Sequence, residues 1–99
     1  MATQAESRIA ARRIHYEASV WREDDEYVAR AWPLDVVTSG KNEEHALEML
    51  QEAVALFIEV SNEQGMLATI LEETGYRLED GVLTPPTVVH FSVSTSLKT

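Results

Sequence analysis

The chain predicts an α+β domain, an antiparallel sheet of three to four strands packed on one long helix, with a short second helix beyond it. Three observations carry this reading. Residues 14–22 and 27–32 alternate apolar and polar side chains on either side of a short acidic gap, the pattern of a half-buried hairpin. Residues 43–62 repeat apolar side chains at the three-and-four spacing of one helical face. A length of 99 residues allows one hydrophobic core and no enclosed cavity between domains.

In chain order, residues 1–13 are polar and alanine-rich and read as a flexible N-terminal arm ahead of a single domain over residues 14–96. Arg8, Arg12 and Arg13 form at most a small basic patch there, too few charges for a strong phosphate site. From Ile14 to Arg22, Ile14, Tyr16, Ala18 and Val20 point one way and His15, Glu17, Ser19 and Trp21 the other. Glu23, Asp24, Asp25 and Glu26 make an acidic turn that lacks the spacing and glycine of a calcium loop. The second strand puts Tyr27, Ala29 and Ala31 on the core face and Val28, Arg30 and Trp32 opposite. Pro33 has no N–H to donate and ends its pairing. Leu34–Thr38 is expected as a brief third strand closed by Ser39 and Gly40.

Asn42 is a helix N-cap, followed by Glu43 and Glu44 where the helix dipole favours negative charge. Ala46, Leu47, Leu50, Ala53, Val54, Phe57 and Ile58 then form the buried stripe, and Gly65 stops the helix. Met66–Glu73 is expected as the second helix, with Gly75 as its cap. Glu79-Asp80-Gly81 marks a turn, and Pro85-Pro86 an extended connection. Val88–Thr95 alternates, with Val89, Phe91 and Val93 on one side, and is expected to return to the sheet as a fourth strand.

Composition excludes several functions. Without cysteine there is no thiol chemistry and no cysteine-based metal site. The opening MATQAESRIAARR lacks the apolar stretch of a signal peptide, so a cytoplasmic location is expected. The formal charge is −9; residues 1–13 hold three Arg and one Glu, or +2, leaving −11 for the remainder. So acidic a body repels nucleic-acid phosphates and attracts basic proteins, although solubility alone would also account for it. No nucleophile–base pair or convergent carboxylate set stands out, so neither an enzyme nor a cofactor is expected. His15 and His90 fall on sheet positions opposite the core, where their rings would meet, but two ligands make a poor metal site.

The segment YEASVWREDDEYVARAWPLDVVTSGKNEEHALEMLQEAVALFIE resembles the HicB-like antitoxin family, in its short members without a C-terminal DNA-binding domain. The match rests on Tyr27-Val28-Ala29, Leu34-Asp35, Gly40, Asn42, Glu44, Ala46, Leu50, Glu52-Ala53 and Phe57. The chain departs from the family at Ala31-Trp32-Pro33 and at Lys41. The resemblance implies a partial ribonuclease-H-like sheet used for binding. It also implies neutralisation of a small basic ribonuclease toxin of the HicA type by covering the toxin's active surface, without direct DNA binding. Gly40, Asn42, Ala46, Leu50, Ala53 and Phe57 specify fold rather than activity: a permissive turn glycine, a cap, and a close helix-on-sheet contact. The candidate interface is instead the sheet face away from the helix, with Trp21, Val28, Arg30 and Trp32, residue types that dominate interface energetics. Coverage of this face by the second helix or the arm is the alternative. A homo-oligomeric scaffold or regulator without a toxin partner is the second functional reading.

Overall fold

The computed structural model describes residues 9–98 as an α+β arrangement. Its elements in order are β1 (Arg13–Ile14), β2 (Glu17–Glu23), β3 (Glu26–Trp32), β4 (Val36–Gly40), α1 (Glu43–Glu63), α2 (Leu67–Thr74), β5 (Arg77–Glu79) and β6 (Val82–Thr84). They form two three-stranded sheets rather than one, in the orders β2-β3-β4 and β1-β6-β5.

The first sheet is antiparallel throughout. Ala18 pairs with Ala31, Val20 with Ala29, and Ala29 with Thr38, so the alternation expected for both strands is the one observed. Ala29 and Ala31 are fully buried beneath α1. The hairpin between β2 and β3 is tighter than the four-residue acidic turn expected, because Glu23 already pairs with Glu26 and only Asp24 and Asp25 remain outside the ladder. The third strand starts and ends two residues later than expected. Leu34 is buried in the preceding turn, while Ser39 and Gly40 lie inside the ladder opposite Val28 and Tyr27.

Gly40 is therefore a strand residue, and its role differs from the permissive turn expected of it. A Cβ there would lie 2.5 Å from the Ala46 amide nitrogen and 2.8 Å from the Ala46 Cα. Absence of a side chain lets the end of β4 press against the backbone of the first helical turn. Thr38 strengthens the same junction, its hydroxyl donating to the Ala46 carbonyl at 3.1 Å. Asn42 caps α1 as expected, accepting from the His45 amide at 2.7 Å. His45 answers by accepting from the Lys41 amide through Nδ1 at 3.0 Å, a reciprocal arrangement that satisfies two otherwise orphan donors.

Along α1, Ala46, Leu50 and Val54 are buried, Phe57 and Ile58 pack against this core and Ala53 is half-buried, whereas Leu47, expected in the same stripe, is exposed. The helix ends in a Schellman motif: Gly65 takes φ 72°, its amide donates to Asn62, and the Met66 amide donates to Ser61. After α2, Gly75 at φ 81° closes a second such turn, and Leu67, Leu71 and Tyr76 join the core.

The second sheet was only partly foreseeable. Asp80 and Gly81, at φ 53° and 76°, make the two-residue turn of the β5–β6 hairpin, both with the positive φ that such tight loops require. β1 adds parallel to β6, with Arg13 opposite Val82 and Ile14 opposite Leu83. The strand expected over Ile14–Arg22 thus breaks at His15 and Tyr16. Its first residues belong to one sheet and the remainder to the other, because the His15 amide bonds to the Leu83 carbonyl at 2.9 Å. Tyr76 reinforces this crossing by donating its hydroxyl to the His15 carbonyl at 2.6 Å. Burial pushes the Tyr76 phenol up to about 12, helped by neighbouring Tyr16, whose own phenol burial also raises.

Two expectations for the ends of the chain need correction. Residues 9–13, placed by the sequence in a flexible arm, are tied down. The Asn62 side chain accepts from the Ile9 amide at 2.8 Å and donates to the Ile9 carbonyl at 2.9 Å, and Arg12 bonds to Gly81. Residues 1–8, including Arg8, lie outside the described residues. At the other end, Val88–Thr95 forms no strand; residues 85–98 carry no regular secondary structure, and Val89, Phe91 and Val93 are 68%, 80% and 78% exposed. Among the described residues, no helix is long and apolar enough to cross a membrane.

Candidate functional site

With α1 on one side of the β2-β3-β4 sheet, the opposite face collects every residue that alternation assigns to it. Register fixes the neighbours. Trp21 on β2 pairs with Val28 on β3, Ser19 with Arg30, and Glu17 with Trp32; on the far side Arg30 pairs with Val37 and Val28 with Ser39. The four residues proposed as an interface, Trp21, Val28, Arg30 and Trp32, therefore do share one surface. Trp21 and Trp32 are 39% and 38% exposed, half sunk among neighbours and half presented to solvent. They do not touch each other through the ladder. Trp32 lies four residues along β3 from the partner of Trp21, roughly 13 Å at the rise of an extended strand.

Polar groups bracket the aromatics. Trp21 donates its indole N–H to Glu23 at 2.9 Å. Arg30 Nε contacts Asp35 at 2.6 Å, both side chains being well exposed, so the pair orients the guanidinium more than it stabilises the fold. The same register adds residues that the sequence reading did not assign here. Val37, 55% exposed, sits beside Arg30, while Glu23 and Glu26 face each other at the hairpin end. Alternation already implied Glu26; treating Glu23–Glu26 as a turn hid it. The result is an apolar and aromatic middle with carboxylates at Glu17, Glu23 and Glu26 around it, the layout of a protein interface with a polar rim.

Among the described residues, neither α2 nor the part of the arm after Arg8 lies over this face. α2 packs against α1, and Ile9 bonds to Asn62 near the C-terminal end of α1. What approaches instead is the C-terminal segment. Val88 and His90 share with Glu17, Ser19, Arg30 and Trp32 an open groove of about 330 Å³. His90 is thus on the expected side, but His15 is held at the crossing between the two sheets by its own backbone bonds and does not line this groove. Among the described residues, no three histidine or acidic side chains come together as metal ligands would.

No match is found. Protein-family models, curated proteins and solved structures were each compared with the chain, and none resembles it closely enough to count as a relative.

Proposed function

We propose that this chain is an acidic protein-binding module of the antitoxin type. It uses the face of the β2-β3-β4 sheet that α1 leaves bare to cover the active surface of a small basic ribonuclease, as the HicB-like resemblance implies. In this reading the fold is a variant of the partial ribonuclease-H-like sheet, and the chain binds rather than catalyses. The observation that carries the proposal is the pairing of two half-exposed tryptophans with an exposed, pre-oriented arginine on a face that α1 leaves bare. Tryptophan and arginine supply most of the energy at protein interfaces. The carboxylates around them, within a chain of net charge −9, steer a basic partner to that surface.

Co-expression with a small basic ribonuclease encoded beside the gene, with growth rescue and direct affinity as readouts, tests the reading. Trp21→Ala and Trp32→Ala are each expected to weaken binding at least tenfold, with an unchanged urea midpoint. If neither substitution alters affinity, or if the chain neither binds nor rescues, the antitoxin reading fails. The second reading, a homo-oligomeric regulator with no toxin partner, is favoured by one specific observation: the long uncovered tail after Pro86.

A further inference from the structure

The segment Val88–Thr95 has the sequence of a strand without the pairing of one. Its valines and Phe91 are residues that favour extended, half-buried positions, and their alternation with His90, Ser92 and Ser94 is that of a strand covered on one side. Yet Val89, Phe91, Val93 and Leu97 are between 68% and 85% exposed. The radius of gyration is 16.5 Å, against about 13 Å for a compact chain of this length. A neutral, aromatic, β-branched segment left in water has every reason to find a ladder.

We infer that this tail is a donor strand, and that it adds to the free edge of β2 in a second copy of the chain, each copy giving its tail to the other. Three features select that acceptor. First, among the described residues β2 is an edge strand of seven residues hydrogen-bonded only to β3, and the tail segment is eight residues long without proline; an open edge of this kind is a template for another strand. Second, the helix side of β2 is unfinished. Ala29 and Ala31 on β3 are fully buried, whereas Ala18 on β2 is exposed and Val20 only half-buried, because α1 lies mainly over β3 and β4. A strand outside β2 with Val89, Phe91 and Val93 toward the helix would complete that layer. His90 and Ser92 would then fall on the side of Ser19 and Trp21, so one alternation satisfies both faces.

Third, the tail's own charge suits an acidic acceptor. All 17 carboxylate side chains occur at or before Asp80, and the residues beyond it carry only Lys98 as a charged group. The tail itself therefore adds no like-charge repulsion at the acceptor edge. Its own sheet does not use it. Val88 and His90 border a groove with Glu17, Ala18, Ser19, Arg30 and Trp32, yet among the described residues the tail forms no ladder with β2, which leaves that edge to the other copy. Reciprocal exchange closes the pair with two-fold symmetry and leaves no tail unpaired.

This inference deepens the oligomeric reading of the chain and does not depend on a toxin partner. Sedimentation of the full chain is expected to give twice the 11.1 kDa mass of one copy at tens of micromolar. Phe91→Ser, which removes the largest apolar group, and Val93→Pro, which removes a ladder donor, should each raise the dimer dissociation constant at least tenfold. The helical circular dichroism signal and slow amide exchange in α1 should stay unchanged. Amide exchange across Val88–Thr95 should slow as concentration rises. A monomer at millimolar concentration, a dimer unaffected by both substitutions, or tail protection independent of concentration (pairing within one chain) would each overturn the proposal. Binding of a basic ribonuclease by the monomeric Val93→Pro variant would leave the antitoxin reading standing, so the two ideas fail separately.

Discussion

Gly40→Ala is the most searching test of how the sheet meets its helix. The added Cβ would lie 2.5 Å from the Ala46 nitrogen, 2.8 Å from its Cα and 2.8 Å from the His45 carbonyl carbon. All three are backbone atoms, so no side-chain rotation relieves the contact; β4 and α1 must move apart. Overpacking in a filled core costs about 1–3 kcal/mol, and a rigid obstacle places this case near the top of that range. Gly40 is not at positive φ, so the lower entropy of an unfolded chain bearing alanine works the other way, by about 0.4–1 kcal/mol. The expected net loss is about 2 kcal/mol, a sizeable fraction of the roughly 5–15 kcal/mol usual for a domain of this length. In urea, with a slope of about 1–2 kcal/mol per molar, the midpoint should fall by about 1–2 M at unchanged slope. Adding Ala46→Gly should not rescue stability, because the obstruction is not the Ala46 methyl group. A midpoint within 0.3 M of the parent, on the order of 0.5 kcal/mol at that slope, or full rescue by Ala46→Gly, would refute the close-approach argument.

Two further outcomes follow from the polar contacts that join the sheets. Asn62→Ala removes both bonds to Ile9 and should cost about 1–2 kcal/mol; the more telling signature is faster amide exchange at Ile9 and Arg12 while α1 stays protected. Unchanged exchange at Ile9 would mean that the segment is held by packing alone. Alkaline titration tests the Tyr76 bond to His15. The folded phenol is held up to about 12 against an unfolded value of 10.0, so its contribution is complete below pH 10 and is lost as pH rises toward 12, where the unfolded chain ionises first. The raised Tyr16 phenol adds in the same direction. Tyr76→Phe should lower the urea midpoint at pH 8 and flatten the decline between pH 10 and 12. An equally steep decline in that variant would assign the alkaline loss to other groups.

How much of this was legible beforehand depends on how far apart in the chain the deciding partners lie. Alternation in β2 and β3 placed Trp21, Val28, Arg30 and Trp32 on one sheet face, as the register does, because a strand has a period of two whatever it pairs with. The N-cap at Asn42, the buried Ala46 and Leu50, and the stop at Gly65 were equally local signals. The division into two sheets was not legible. Residues 14–22 alternate without interruption across His15, and only the distant carbonyl of Leu83 and hydroxyl of Tyr76 show that the chain changes sheets there.

The sequence by itself determined the α+β class, the long capped helix and the composition of the open face, since each is written in periodicity or in single residues. Tertiary structure decided the rest. It turned Gly40 from a turn residue into a point of contact between backbones, because steric room depends on what lies opposite rather than on the residue itself. It fastened Ile9 to α1 and Arg12 and Arg13 to the second sheet, and it left Val88–Thr95 outside both sheets. That last separation has a simple physical reason. A run of alternating residues encodes the capacity to pair, while the partner, and even which molecule supplies it, is set by which edge remains free.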